Sequence, residues 1–226
     1  MKLLKLLVVP IIFLITILII NYTKSNKIYY ISLGDELGKG INSNNYEDIG
    51  YSDFIKEYLE KNNKLKYYTK DFSDTDIRVT DLIRKIENNE EKEITIQNAL
   101  KNSDLITISA GLNEIYNKYN TDKRDLYNYI DEIIYNVDYL LNLIRKINQN
   151  SIYFLGFYNA VNSKELDKYI EYANNKLIKT CNKYNVKYVD LYNLFKNNKH
   201  LIYNINNIYP NKDGYKLISN EILKNM

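Results

Sequence analysis

The 226 residues suit one ordinary domain, and a chain 45% hydrophobic and 26% charged is globular rather than disordered. The net charge of +3 falls to +1 once Lys2 and Lys5 in the N-terminal apolar stretch are set aside, which excludes the basic footprint of a nucleic-acid binder. One cysteine, Cys181, and one histidine, His200, exclude a disulfide framework, a cysteine-rich metal site and a multi-histidine centre, and no cofactor or metal is implied.

Taken in chain order, residues 6–20 form an apolar run interrupted by Pro10 and Thr16. With Leu3 and Leu4 it approaches the ~20 residues that span a bilayer. The following Asn21-Tyr22-Thr23-Lys24-Ser25 is a poor cleavage site and holds no lipidatable cysteine. The expectation is an uncleaved signal anchor: residues 1–26 are a transmembrane helix and short linker, and residues 27–226 are an extracytoplasmic domain at the cell membrane. Cleavage is the alternative, and Lys24 and Lys27 weaken the orienting charge bias.

Residues 28–33 read as a buried strand ending at Gly34, and 51–61 as a helix with Phe54, Ile55, Tyr58 and Leu59 on its apolar face. A second strand is expected at 65–68, helices at 76–86 and 94–101, and a third strand at 104–109. A long helix at 126–147 and a strand at 151–156 follow, then a helix at 165–184, a fifth strand at 186–190 and a last helix at 212–223. Strands alternating with helices predict an α/β fold whose parallel sheet is covered on both faces. The 24 tyrosines, with no tryptophan, follow the A/T-rich codons that also favour Asn, Lys and Ile, and imply no tyrosine-based function.

Ligands of such sheets gather at the carboxyl ends of the strands. After the first strand stands Gly34-Asp35-Glu36-Leu37, after the third Gly111-Leu112-Asn113-Glu114, and before the last helix Asn206-Asn207-Ile208-Tyr209-Pro210-Asn211-Lys212-Asp213-Gly214-Tyr215. In order and spacing, from residue 28 to the end, the chain resembles the SGNH/GDSL hydrolases, a family of esterases and acylhydrolases. That resemblance implies a flavodoxin-like, doubly wound, five-stranded parallel sheet. It also implies motifs of the form Gly-Asp-Ser-Leu, Gly-x-Asn-Asp and Asp-x-x-His-Pro. Against them, this chain has Glu36 at the nucleophile, Asn206 at the orienting acid and Tyr209 at the base. Ser73 stands where an oxyanion-hole glycine belongs, and Asn113 is unchanged.

Acyl transfer of this kind needs a hydroxyl nucleophile, an imidazole to take its proton and an acid to hold the imidazole. A phenol with a pKa near ~10 is a poor base at neutral pH. The reading is therefore a domain that has lost hydrolysis and binds a cell-envelope ligand or protein partner in the former cleft, through Asp35, Glu36, Asn113, Glu114 and Tyr209. The alternative is a divergent acylhydrolase of envelope acyl esters with a non-standard nucleophile. Glu36 also reads as a residue favoured by a helix N-terminus, and Asn113 as either a pocket donor or a turn cap. Asp35, Glu36 and Glu114 are a candidate carboxylate cluster. His200 is expected on the surface and Cys181 in the core.

Overall fold

A computed structural model describes residues 14–16, 27–202 and 207–226. Its sheet has strands β1 (Ile28–Gly34), β2 (Leu65–Ser73), β3 (Leu105–Ser109), β4 (Ser151–Leu155) and β5 (Lys187–Val189). They are ordered β2-β1-β3-β4-β5, and every pairing is parallel. The helices are α1 (Glu36–Lys39), α2 (Tyr51–Lys61), α3 (Val79–Glu87), α4 (Ile96–Asn102), α5 (Leu112–Thr121), α6 (Leu126–Ile147), α7 (Lys164–Lys183), α8 (Leu191–Lys196) and α9 (Lys212–Lys224). Helix α2 packs on α9, and α6 packs on α3, α4 and α7, so the sheet is sandwiched between two helical layers.

The local sequence accounts for these positions. All five residues of β3 are buried, which suits a central strand covered on both faces, whereas β2 at the edge is only partly buried. Helix α6 buries Leu126, Ile130, Ile133, Ile134, Val137, Leu140, Leu141 and Ile144, one stripe at helical spacing. At the end of β1, Gly34 has φ of +131°, and a Cβ there would stand 1.8 Å from the Ser109 carbonyl oxygen. Glycine is required, because the next residue brings its amide to that same oxygen, Asp35 N to Ser109 O, at 2.8 Å. This close approach seats α1 across the ends of β1 and β3.

Several boundaries differ from expectation. The second strand runs on to Ser73, past the predicted end at 68. The helix expected from 76 begins at Val79, because Asp76 adopts a left-handed conformation with φ of +57°. Helices α5 and α8 have no counterpart among the predicted elements, whereas α1 opens at Glu36, the acid read as favoured by a helix N-terminus. Of the N-terminal apolar stretch, Leu14–Thr16 are helical, and the remainder lies outside the described residues. No helix among the described residues is long and apolar enough to cross a membrane.

One buried polar side chain ties the end of α6 to the end of α4. Asn148, 4% exposed, donates from Nδ2 to the carbonyls of Leu100 and Ser103, both at 2.7 Å. Asn148→Leu removes these two bonds and the one its Oδ1 accepts from Asn150 N at 2.7 Å, and is expected to destabilise the domain by about 2 kcal/mol. Urea unfolding, with m unchanged and the midpoint lowered, checks it.

Candidate functional site

At the carboxyl end of β1 the chain turns into a single short helix. Asp35 caps it, its carboxylate accepting from Leu37 N at 3.1 Å. Glycine at position 38 lets α1 press onto the neighbouring strand ends, since a Cβ there would meet Ser73 Oγ at 2.6 Å and Ser109 Oγ at 3.2 Å. The arrangement sends the two adjacent acidic side chains in different directions, Asp35 inward and Glu36 toward the loop after β2.

Glu36 is 3% exposed. Its Oε1 accepts from the backbone N–H of Asp76 at 2.8 Å, and its Oε2 accepts from the side-chain amide of Asn113. The Tyr209 hydroxyl lies close to the same carboxylate and favours its charged form. These groups come from the segment between β2 and α3, from the first turn of α5, and from the segment before α9. Asp76 presents its N–H inward because of its left-handed backbone, which Asp tolerates better than most residues. Tyr209 is held in place by its own amide donating to Asn207 Oδ1 at 2.9 Å, and by Tyr158 OH donating to the adjacent Ile208 carbonyl at 2.9 Å.

The segment 74–78 is a strap over α1. Asp74 N donates to Gly34 O at 2.9 Å, Asp76 N to Glu36, and Val79 N, opening α3, to Glu114 Oε2 at 2.9 Å. Glu114, 8% exposed, therefore faces the start of α3 and not the Glu36 carboxylate. The candidate cluster of Asp35, Glu36 and Glu114 does not come together as three: each carboxylate answers a different backbone amide, and only the adjacent Asp35 and Glu36 act on each other. Among the described residues no group of three or more metal-ligating side chains is placed to hold a metal ion.

Burial sets the electrostatics. Desolvation, with the neighbouring Glu36 charge second, pushes the Asp35 carboxyl up to about 7. Burial likewise raises Glu36, against the opposing effect of its donors, and raises Glu114. The Tyr209 phenol is driven well above its ordinary value by burial and then by the charges of Glu36 and Asp35, so it keeps its proton and serves as a donor. Beneath Asp35, Tyr30 OH and Thr107 Oγ1 lie 2.9 Å apart, Tyr51 OH donates to Thr107 Oγ1 at 3.2 Å, and Ser32 Oγ lies 3.2 Å from Tyr51 OH. Beside Asp35, the buried Ser109 hydroxyl meets no partner in good hydrogen-bond geometry.

Glu36, Asn113 and Tyr209 are thus brought together, with Asp35 behind them. Ser73 is buried at the end of β2, its hydroxyl donating to Ser32 O at 3.2 Å, and it presents no group to Glu36. Asn206 lies outside the described residues. His200 is exposed on the short turn Lys199–Leu201, and Cys181 is buried in α7 with its thiol pushed up to about 12 by desolvation. The backbone amide of Asp76 was missed: no side-chain motif marks a backbone donor, and only its left-handed conformation reveals it. A cavity of about 670 Å³ flanks β5 beside Lys187, Asn182 and Glu221, away from all these residues.

The family model described as the GDSL-like Lipase/Acylhydrolase family matches residues 32–217. No curated protein has a matching sequence. The fold is similar to that of the lipase Lip_vut3 from a goat rumen metagenome, at a TM-score of 0.72 and 22% identity, over 86% of this chain and 95% of that one. It is similar to LAE5, an alpha/beta hydrolase enzyme from the metagenome of Lake Arreo, Spain, at 0.66 and 15%, over 86% and 93%. It also resembles the acetylxylan esterase Axe2 from Geobacillus stearothermophilus, at 0.68 and 15%, over 86% and 92%. Catalytic mutants of Axe2 alter a serine, an aspartate and a histidine, the last two three positions apart.

The raised carboxyl of Asp35 has a thermodynamic consequence. Its folded value near 7 lies above the unfolded one, so its contribution to stability is full below the ordinary carboxylate range of ~4 and is lost as pH rises through about 7. The urea midpoint is expected to fall between pH 5.5 and pH 8.5. Asp35→Asn, which keeps an oxygen for Leu37 N, is expected to flatten that fall.

Proposed function

The chain belongs to the GDSL-like lipase/acylhydrolase family, and on that premise we propose that it is a member that no longer hydrolyses esters, its reaction centre filled by its own Glu36. The observation that carries this reading is the hydrogen bonding of the Glu36 carboxylate by Asp76 N–H and Asn113, with the Tyr209 hydroxyl close by and favouring its charged form. A carboxylate replaces the hydroxyl nucleophile and engages donors that would otherwise meet the negative oxygen of a tetrahedral intermediate. The group in the base's place is a phenol that holds its proton. When a triad is removed, about 10³–10⁴-fold of catalysis survives through the oxyanion hole and binding, and here that remainder is blocked as well.

The role that remains is recognition of a cell-envelope ligand or protein partner by a domain tethered to the membrane through the N-terminal apolar stretch. Leu14 and Ile15, helical and 62% and 49% exposed, support such a tether. Lys2 and Lys5 before the stretch favour extracytoplasmic placement, against the opposing pull of Lys24 and Lys27 after it.

Two measurements test the proposal. The purified protein is expected to leave a fluorophosphonate probe unattached and to hydrolyse p-nitrophenyl acetate no faster than buffer, whereas serine labelling would overturn the reading. The combined change Glu36→Ser, Asn206→Asp and Tyr209→His is expected to gain measurable esterase activity. For the tether, the full chain is expected in the membrane fraction, released by detergent and not by high salt. A chain beginning at residue 27 is expected in the soluble fraction.

A further inference from the structure

The geometry points to a monocarboxylate-binding cradle, made by Asp76 N–H, the Asn113 amide and the Tyr209 hydroxyl, which Glu36 fills from within the chain and from which it excludes outside ligands. This deepens the reading of a closed centre and rests on it.

The donors select the ligand class. Asp76 N–H and Asn113 Nδ2 serve different oxygens of one carboxylate, the pattern a planar two-oxygen anion satisfies. Tyr209 contributes a hydroxyl whose proton is firmly held. Among the described residues no lysine or arginine forms an ion pair with Glu36, while the Asp76 carboxylate opposes its charge, and Asp35 is its immediate neighbour. A site of neutral donors ringed by acids accepts one delocalised negative charge and rejects a dianion. The side chain of Glu36 is buried beneath half-buried Asn113 and Tyr209. Its truncation therefore opens a space the size of a small carboxylic acid, with two donors that have lost their acceptor and the Tyr209 hydroxyl beside them, and buried unpaired donors are costly. An acetate ion restores the acceptor.

The test uses the full chain carrying Glu36→Ala, followed by thermal unfolding in sodium acetate against equal ionic strength of sodium chloride or phosphate. A ligand bound only by the folded state raises Tm with concentration. At ten times its Kd, acetate is expected to raise the Tm of Glu36→Ala by about 3–6 °C, with formate acting similarly. Wild type and the space-filling Glu36→Gln are expected to show no acetate-specific shift, and Asn113→Ala added to Glu36→Ala is expected to reduce it. A folded Glu36→Ala that responds to acetate no more than to chloride overturns the proposal, as does an equal response by wild type. If Glu36→Ala does not fold in buffer, Glu36→Ser replaces it, since the family carries serine there. If neither folds, acetate has to restore refolding, and failure to do so overturns the cradle. Serine labelling of the wild type would instead overturn the closed-centre reading, so the two failures are distinct.

Discussion

A carboxylate removed from water, with hydrogen-bond donors from three separate parts of the chain turned onto it, organises the top of this sheet. Buried charge is expensive unless it is answered, and Glu36 is answered by the strap after β2, by α5 and by the segment before α9. The same contacts explain why the strap lies where it does: its amides at Asp74, Asp76 and Val79 end on Gly34 O, Glu36 and Glu114 in turn. In the reading proposed above, an acid at the position of the family's hydroxyl makes a reaction centre into a fastening between loops. Tyrosine in the base's place fits the same proposal, because a phenol donates where an imidazole would accept.

The fastening depends on features below it. Glycine at position 34 lets Asp35 N reach Ser109 O, and glycine at position 38 lets α1 lie against Ser73 and Ser109. Asp35 is buried without a cation, and desolvation, followed by the neighbouring Glu36 charge, favours its protonated form. With Asp35 neutral, the two adjacent acids carry one negative charge between them at moderate pH, and that charge resides on Glu36, where the donors are.

Much of the architecture was legible because it rests on long apolar periodicities. Strands β1, β3 and β4 and the helices α2, α6, α7 and α9 announce themselves through continuous or helically spaced apolar residues, while β2 and β5 show only short stretches of tyrosine beside Leu65 and Val189. Helix α1 has four residues and α8 six, too few to display a period. The start of α3 was misplaced because Asp76 reads as a helix-opening acid while its backbone is left-handed. At the site, motif order pointed to Glu36, Asn113 and Tyr209, and their convergence follows once β1, β3 and the chain before α9 are set side by side. Glu114 was grouped with Glu36 by sequence proximity to Asn113, yet neighbouring residues on a helix point about 100° apart, and it turns to Val79. Asn148, like Asp76 N–H, acts through backbone partners distant in sequence, and no motif records such a partner.

Amide hydrogen exchange at Asp76 tests the central claim most directly. Asp76 is an exposed residue in a loop, and its N–H has a buried carboxylate as acceptor. The account predicts exchange at Asp76 far slower than at Thr75 beside it, and a loss of that protection when Glu36 is truncated. Exchange at Asp76 as fast as in an open loop in the wild-type protein would contradict it.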